Sequence, residues 1–220
     1  IRQHRGTIDK FMGDCVMAFW GAPIHSANHA EQAVRAALDM TEALIHINQE
    51  FRRKSWPEIG IGIGLNTGPM FVGDMGSDIR RSYTVIGDAV NLGSRLEGLC
   101  KVYGVEIVAS ESTRAQAQGF AWQELDRVRV KGKEQAVAIY RPVAEAGTLD
   151  AAPQNARDRW HEWLAAFRAQ DGPRCDSLWP GLVAAHAQRA LLEFYSQRLQ
   201  ALRVLPYNPA WDGSTHFDTK

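Results

Sequence analysis

Two polar residues one helical turn apart, Asn91 and Arg95, are the best candidates in this sequence for binding a phosphorylated sugar. A guanidinium offers forked donors to phosphate oxygens, and an amide can hold a hydroxyl group. Residues four apart project from the same face of a helix. From spacing alone, an ordinary polar face on a surface helix remains the alternative interpretation.

The residues around this pair predict a strand followed by a helix. The stretch from Tyr83 to Ile86 favours extended backbone, and Gly87 interrupts it. We predict that Asp88 is the N-cap of a helix that runs to about Cys100. Leucines at helical spacing predict the face that packs on a core: Leu92, Leu96 and Leu99.

A second candidate residue, Asp14, is predicted at the tip of a hairpin. Thr7 to Met12 alternates, with Lys10 expected on one side and Asp9 on the other, and a further strand-like run extends from Cys15 to Trp20. Two residues beginning with glycine between such runs predict a tight turn. Asp14 is either a good turn residue or a ligand for a hard divalent cation such as Mg²⁺.

Glycines and lysines mark two further stretches. Glu58 to Leu65 alternates large apolar residues with glycines, which predicts a strand with one bare face that a neighbour can approach closely. Neither the dinucleotide-binding nor the P-loop glycine spacing is present in it. Lys131 and Lys133 flank a glycine between two predicted strands, as a triphosphate clamp or as solvated turn residues.

Composition limits the classes of function. The 220 residues are 45% hydrophobic and carry 25 basic and 25 acidic side chains, so no overall positive field favours nucleic acid. Three widely spaced cysteines indicate a reducing compartment and disfavour a structural zinc site. No apolar run approaches ~18 residues, so no membrane span is predicted. Because the chain starts at Ile1, inside an apparent domain, we expect a fragment lacking its beginning.

The order of elements predicts two units. Strands interleave with helices up to about Val143, including a helix near 28–52 whose Asn28 and Glu31 have capping-box spacing. We predict a first domain over 1–143, a linker over 144–157 and a helical extension over 158–220. Four of the seven tryptophans lie in that extension, so we expect it to dock on another surface.

Three stretches together resemble the catalytic domain of class III nucleotidyl cyclases. They are Gly6 to Asp14, Gly62 to Gly68 together with Gly73 to Gly76, and Tyr83 to Arg95, followed by Val130-Lys-Gly-Lys133. The resemblance covers roughly Ile1 to Val143, and the tail is similar to the extension of bacterial adenylate cyclases. It implies an α/β (α+β) ferredoxin-like fold, with a mainly antiparallel sheet and flanking helices.

The resemblance also implies roles for single residues. Asp14 matches a metal-binding aspartate, Lys10 the lysine that reads adenine, and Thr84 a position that is aspartate in many members and threonine in a subclass that uses ATP. Asn91 matches the residue that orients the ribose, and Arg95 the one that stabilises the transferring phosphoryl group. Lys131 matches the residue that holds the terminal phosphates.

The same resemblance implies a cytoplasmic adenylate cyclase, which would convert ATP to 3′,5′-cyclic AMP and pyrophosphate with two Mg²⁺ or Mn²⁺ ions. Two copies pair head to tail and share each site, so a homodimer is implied; only upstream segments would reach a membrane. The first metal-binding aspartate lies upstream of the matched hairpin, so we expect the 220-residue piece alone to be nearly inactive.

Two alternatives to an adenylate cyclase remain. One is a degenerate cyclase-like module that dimerises or binds nucleotide without turnover. The other is a diguanylate cyclase, which shares a Gly-Asp hairpin but does not explain the helix of Asn91 and Arg95.

Overall fold

A computed structural model of the protein describes residues 1–77, 79, 81–130, 135–185 and 188–217. Its strands are β1 Thr7–Met12, β2 Cys15–Phe19, β3 Ile63–Leu65, β4 Phe71–Gly76, β5 Arg81–Ile86, β6 Ile107–Ser110, β7 Phe120–Val130, β8 Val137–Glu145 and β9 Thr215–Phe217. Its α-helices are α1 His29–Arg53, α2 Asp88–Tyr103, α3 Glu111–Gln116, α4 Ala151–Arg168, α5 Gly172–Ala185 and α6 Arg189–Arg203.

The strands form one sheet of five and two separate hairpins within the described residues. The sheet has the order β3-β6-β8-β7-β9, and the hairpins are β1-β2 and β4-β5. Strand β3 is parallel to β6 and β9 is parallel to β7, whereas the other four pairings are antiparallel. The predicted α+β fold, mainly antiparallel with flanking helices, is confirmed.

The β1-β2 hairpin has the predicted tight turn and an unpredicted bulge. Met12 pairs with Cys15, so Gly13 and Asp14 alone form the turn, and Gly13 takes a positive φ of 66°. The pairing shifts between Ile8 and Lys10, which leaves Asp9 as the extra residue. The prediction of regular alternation was therefore wrong at Asp9, because a bulge interrupts the two-residue period.

One predicted strand boundary and two predicted helix caps were also wrong. The strand expected over Glu58 to Leu65 is limited to Ile63–Leu65, since glycines weaken extended structure before it. Asn28 precedes α1, but its φ of −98° and ψ of 21° are not extended, and its side chain makes no capping bond. Gly87, not Asp88, precedes α2; Asp88 lies in the first turn, where a carboxylate is favoured by the helix dipole.

The C-terminal helices share one core with the sheet and with α2. Buried side chains from both parts are in contact, among them Tyr103, Val108, Leu125, Trp160, Trp163 and Leu191. The indole of Trp160 donates a 2.6 Å hydrogen bond to the backbone oxygen of Glu124. Docking of the tryptophan-rich extension is therefore confirmed.

A histidine on α4 makes a second contact with the same strand position. The backbone N–H of Glu124 donates a 3.0 Å bond to Nε2 of His161, which that nitrogen can accept only without a proton. Burial lowers the pKa of His161 below its ordinary value, since desolvation disfavours the charged ring.

A buried carboxylate ties four elements together. Asp126 on β7 has a side chain 0% exposed and accepts hydrogen bonds from the Tyr103 hydroxyl at 2.9 Å and from Arg198 at 3.0 Å. Thr215 on β9 donates to the same oxygen, and the Arg127 N–H donates to the other at 2.7 Å. Because Tyr103 lies on α2, the network connects the C-terminal extension to the helix of Asn91 and Arg95.

The predicted linker and the all-helical extension both need correction. Strand β8 continues to Glu145 and α4 begins at Ala151, so only 146–150 connect them. The alanines there favour helix, and Pro153 is tolerated because it lies in the first turn. The extension also ends in a strand, β9, which joins the main sheet. No helix in the described ranges is long and apolar enough to cross a lipid bilayer.

Candidate functional site

Helix α2 presents Asn91 and Arg95 on a face away from its leucines. Leu92, Leu96 and Leu99 are buried, as predicted, while Asn91 is exposed and Arg95 is partly exposed. Neither polar side chain has a hydrogen bond or an ion pair with another described residue. Both are therefore available to a ligand.

The glycine-rich strand β3 fixes the position of α2. A Cβ on Gly64 would lie 2.1 Å from the backbone oxygen of Gly93 and 2.4 Å from the backbone nitrogen of Glu97. The amide of Asn66, just past β3, donates a 2.8 Å bond to the backbone oxygen of Ala89. The predicted close neighbour of the bare face is thus the helix that carries the candidate site residues.

We expect Gly64→Ala to displace α2. The added methyl group meets backbone atoms that cannot rotate away, so we expect a loss of about 1–3 kcal/mol in unfolding free energy. A shift of ~1 Å at Asn91 and Arg95 would lower turnover by roughly a hundredfold. Urea unfolding and a cyclase assay measure the two effects. Gly60→Ala is the matched control, since a Cβ there meets nothing within 4 Å; equal effects of the two variants would contradict the close-approach argument.

Lys10 and Thr84 are brought together by a third residue, Asp9. The Thr84 hydroxyl donates a 2.7 Å hydrogen bond to Oδ2 of Asp9, and Nζ of Lys10 lies 3.6 Å from the same oxygen. Neighbouring side chains of a regular strand point to opposite faces, so the bulge at Asp9 accounts for their meeting. The Asp9 side chain is 1% exposed, whereas that of Lys10 is 45% exposed.

Asp14 is exposed at the tip of the hairpin that also carries Lys10. No group of three or more histidine, cysteine, aspartate or glutamate side chains in the described chain is arranged to hold a metal ion. A single accessible carboxylate still fits Mg²⁺, which binds through one or two carboxylates and completes its shell with water and phosphate oxygens. No hydrogen bond or ion pair between described residues joins Asp14 to Asn91 or Arg95.

The remaining predicted site residue, Lys131, lies outside the described residues. The other five predicted site residues lie on three parts of the fold. One hairpin carries Lys10 and Asp14, β5 carries Thr84, and α2 carries Asn91 and Arg95.

Two residues that matter for the site were missing from the sequence-based prediction. Asp9 was predicted on the opposite face from Lys10, because the alternation of β1 alone does not show the bulge that brings the two side chains together. Asn66 follows the predicted glycine-containing strand and has no predicted role, but its amide holds the first turn of α2. Both act through hydrogen bonds that sequence spacing does not show.

Comparison with known proteins agrees with this arrangement. Residues 1–141 match the family described as "Adenylate and Guanylate cyclase catalytic domain". The chain is similar to "Adenylate cyclase 1" of Rhizobium meliloti (strain 1021), with 39% identity over 157 residues, 67% of this chain and 24% of that protein. The chain spans about a quarter of the length of the first curated relatives it matches.

Solved structures show the same likeness. The adenylyl cyclase CyaB from P. aeruginosa superimposes with a TM-score of 0.60 at 35% identity, over 68% of this chain and 77% of that one. The guanylyl cyclase Cya2 superimposes with a TM-score of 0.58 at 32% identity, over 68% of this chain and 75% of that one. The chain belongs to the adenylate and guanylate cyclase catalytic domain family.

Proposed function

We propose that this protein is an adenylate cyclase that converts ATP to 3′,5′-cyclic AMP and pyrophosphate. The observation that carries the choice of nucleotide is the Lys10 and Thr84 pair, held beside Asp9. An ammonium donor and a hydroxyl complement the acceptor ring nitrogen and the amino group of adenine, whereas guanine presents the opposite polarity at these positions. Relatives named adenylate cyclase support the same choice.

The α2 residues have the chemistry that cyclisation needs. The ribose 3′-hydroxyl loses its proton to solvent and its oxygen bonds to the α-phosphorus, while the bond from that phosphorus to the bridging oxygen of the leaving pyrophosphate breaks. Negative charge spreads over the phosphoryl oxygens, and the partly exposed guanidinium of Arg95 would stabilise it. Asn91, on the same face, orients the ribose, and Lys131 holds the terminal phosphates.

Asp14 is the carboxylate that would hold the divalent ions, Mg²⁺ or Mn²⁺. Such ions, when bound, neutralise phosphate charge and lower the pKa of a coordinated hydroxyl. The hairpin gives Asp14 an exposed position on a tight turn, so phosphate oxygens and water can complete the coordination shell.

A second copy of the chain completes the site in this proposal. Large apolar side chains are exposed on both hairpins as cross-strand pairs: Phe11 faces Val16, and Phe71, 80% exposed, faces Ile86. Exposed apolar clusters of this kind favour a protein interface. A homodimer would bring Asp14 of one copy to Asn91 and Arg95 of the other. A cytoplasmic location fits this proposal, because ATP is available there and because the three cysteines are free thiols, as expected in a reducing compartment.

The proposal is tested by measuring cyclic AMP and cyclic GMP formed by the complete gene product with ATP, GTP and Mg²⁺ or Mn²⁺. We expect cyclic AMP as the main product. Lys10→Glu combined with Thr84→Cys should lower ATP turnover more than GTP turnover, since unpaired polar groups penalise the wrong base. An unchanged preference in a competition assay would contradict the assignment of these two residues.

A nucleotide-binding module without turnover is the second candidate. It would use the same Lys10 and Thr84 pair, which could hold a base whether or not turnover follows. It predicts displacement of a fluorescent ATP analogue by ATP, but no cyclic nucleotide with either substrate and either metal ion.

A further inference from the structure

We propose that Asp9 is a positioning residue that sets the nucleotide preference by fixing the hydrogen-bond polarity of Thr84. This inference rests on the proposed function and deepens it. Asp9 was assigned no role by the sequence, and its side chain is 1% exposed, so it acts through Lys10 and Thr84 and does not touch the nucleotide.

A hydroxyl alone discriminates poorly between adenine and guanine. It carries one proton and two lone pairs and rotates to suit its neighbour. It can accept from the amino group at position 6 of adenine, or donate to the oxygen at position 6 of guanine. A freely rotating Thr84 would therefore suit both bases.

Asp9 removes that freedom. A carboxylate offers only acceptors, so the 2.7 Å contact between Thr84 Oγ1 and Asp9 Oδ2 commits the hydroxyl proton to Asp9. Thr84 retains lone pairs but no proton for a ligand, which makes it an acceptor. An acceptor suits the adenine amino group and leaves the guanine oxygen facing another oxygen without a proton between them.

Burial and the bulge both stabilise the contacts of Asp9 with Thr84 and Lys10. Thr84 is only 8% exposed, so water has little access to offer the hydroxyl a different partner. The bulge at Asp9 directs two consecutive side chains to one place, with the Lys10 ammonium 3.6 Å from the same carboxylate oxygen. Asp9 thus holds both a fixed donor, Lys10, and a fixed acceptor, Thr84.

The test is a double-mutant cycle on selectivity, with Asp9→Ala, Thr84→Val and the double variant in the complete gene product. ATP and GTP compete in one reaction, and the ratio of cyclic AMP to cyclic GMP gives the ratio of the two kcat/KM values. That ratio does not depend on the fraction of folded enzyme. A merely structural role for Asp9 would lower both products together and leave the ratio unchanged.

We expect Asp9→Ala to lower the ATP to GTP ratio by roughly tenfold or more, because the freed hydroxyl can donate to guanine. In the Thr84→Val background the Asp9→Ala change should have no effect on the ratio, since no hydroxyl remains to be oriented. Thr84→Ser, which keeps the hydroxyl, should keep the ratio of the unmodified protein. An unchanged ratio in Asp9→Ala, or an equal change with and without the Thr84 hydroxyl, overturns the inference.

If Asp9→Ala shows no turnover, displacement of a fluorescent ATP analogue by ATP and by GTP gives the ratio of the two dissociation constants, and the same loss of preference for ATP is expected in that ratio. A selective unmodified enzyme whose ratio does not respond to Asp9→Ala contradicts only the role of Asp9. An unmodified protein that binds nucleotide but forms neither cyclic product contradicts the proposed function instead.

Discussion

Replacement of Arg95 by alanine is expected to lower ATP turnover by roughly a hundredfold to a thousandfold, the usual effect of removing one group that stabilises transition-state charge. Asp14→Ala is expected to cost at least as much, since the loss of a metal ligand removes several kcal/mol of stabilisation. Lys101→Ala is the matched control, because it removes a positive charge from an exposed position on the same helix. Cyclic AMP formation by the complete gene product measures all three.

If each site is shared between two copies, mixing two inactive variants should restore activity only for certain pairs of variants. Equal amounts of Asp14→Ala and Arg95→Ala should regain up to about a quarter of the original activity, because half of the dimers are mixed and each mixed dimer has one intact site of two. Asn91→Ala mixed with Arg95→Ala should regain none, since both residues come from the same copy at each site. Equal behaviour of the two mixtures would contradict a site shared in this way.

Asp126→Ala is expected to lower the free energy of unfolding by roughly 3–5 kcal/mol, the usual cost of leaving a buried charge without its partner. Arg198 would lose that partner, and the Tyr103 hydroxyl would lose its acceptor. The predicted effect is large because the Asp126 side chain is 0% exposed.

Urea unfolding of the purified variant measures this effect, with Glu58→Ala as the control. Glu58 pairs with Arg52, but both side chains are largely exposed, so we expect a change below about 1 kcal/mol. A change of similar size in both variants would mean that the Asp126 network contributes no more than a surface pair.

The sequence predicted the features that depend on regular spacing. The leucines of α2 gave the helix, its buried face and the opposite placement of Asn91 and Arg95, because helical periodicity and burial agree there. The alternation of glycine before Leu65 correctly predicted a close neighbour. The two residues between Met12 and Cys15 gave the hairpin turn, because its length is set by local chemistry.

Features that depend on distant contacts were not predicted. The bulge at Asp9 is a mismatch between two strands, and one strand alone shows only its alternation. Strand β9 has three residues, too few for a period, and it exists because β7 offers an open edge.

Strand β9 also determines when the fold can be completed during synthesis. Its Thr215 follows Asp126, its hydrogen-bond partner on β7, by 89 residues. A ribosome therefore releases the long strand β7 well before the strand that covers its edge. During that interval the edge of β7 has unpaired backbone groups, which are the usual starting points for aggregation. The nascent chain should accordingly expose this strand edge until residues 215–217 have emerged.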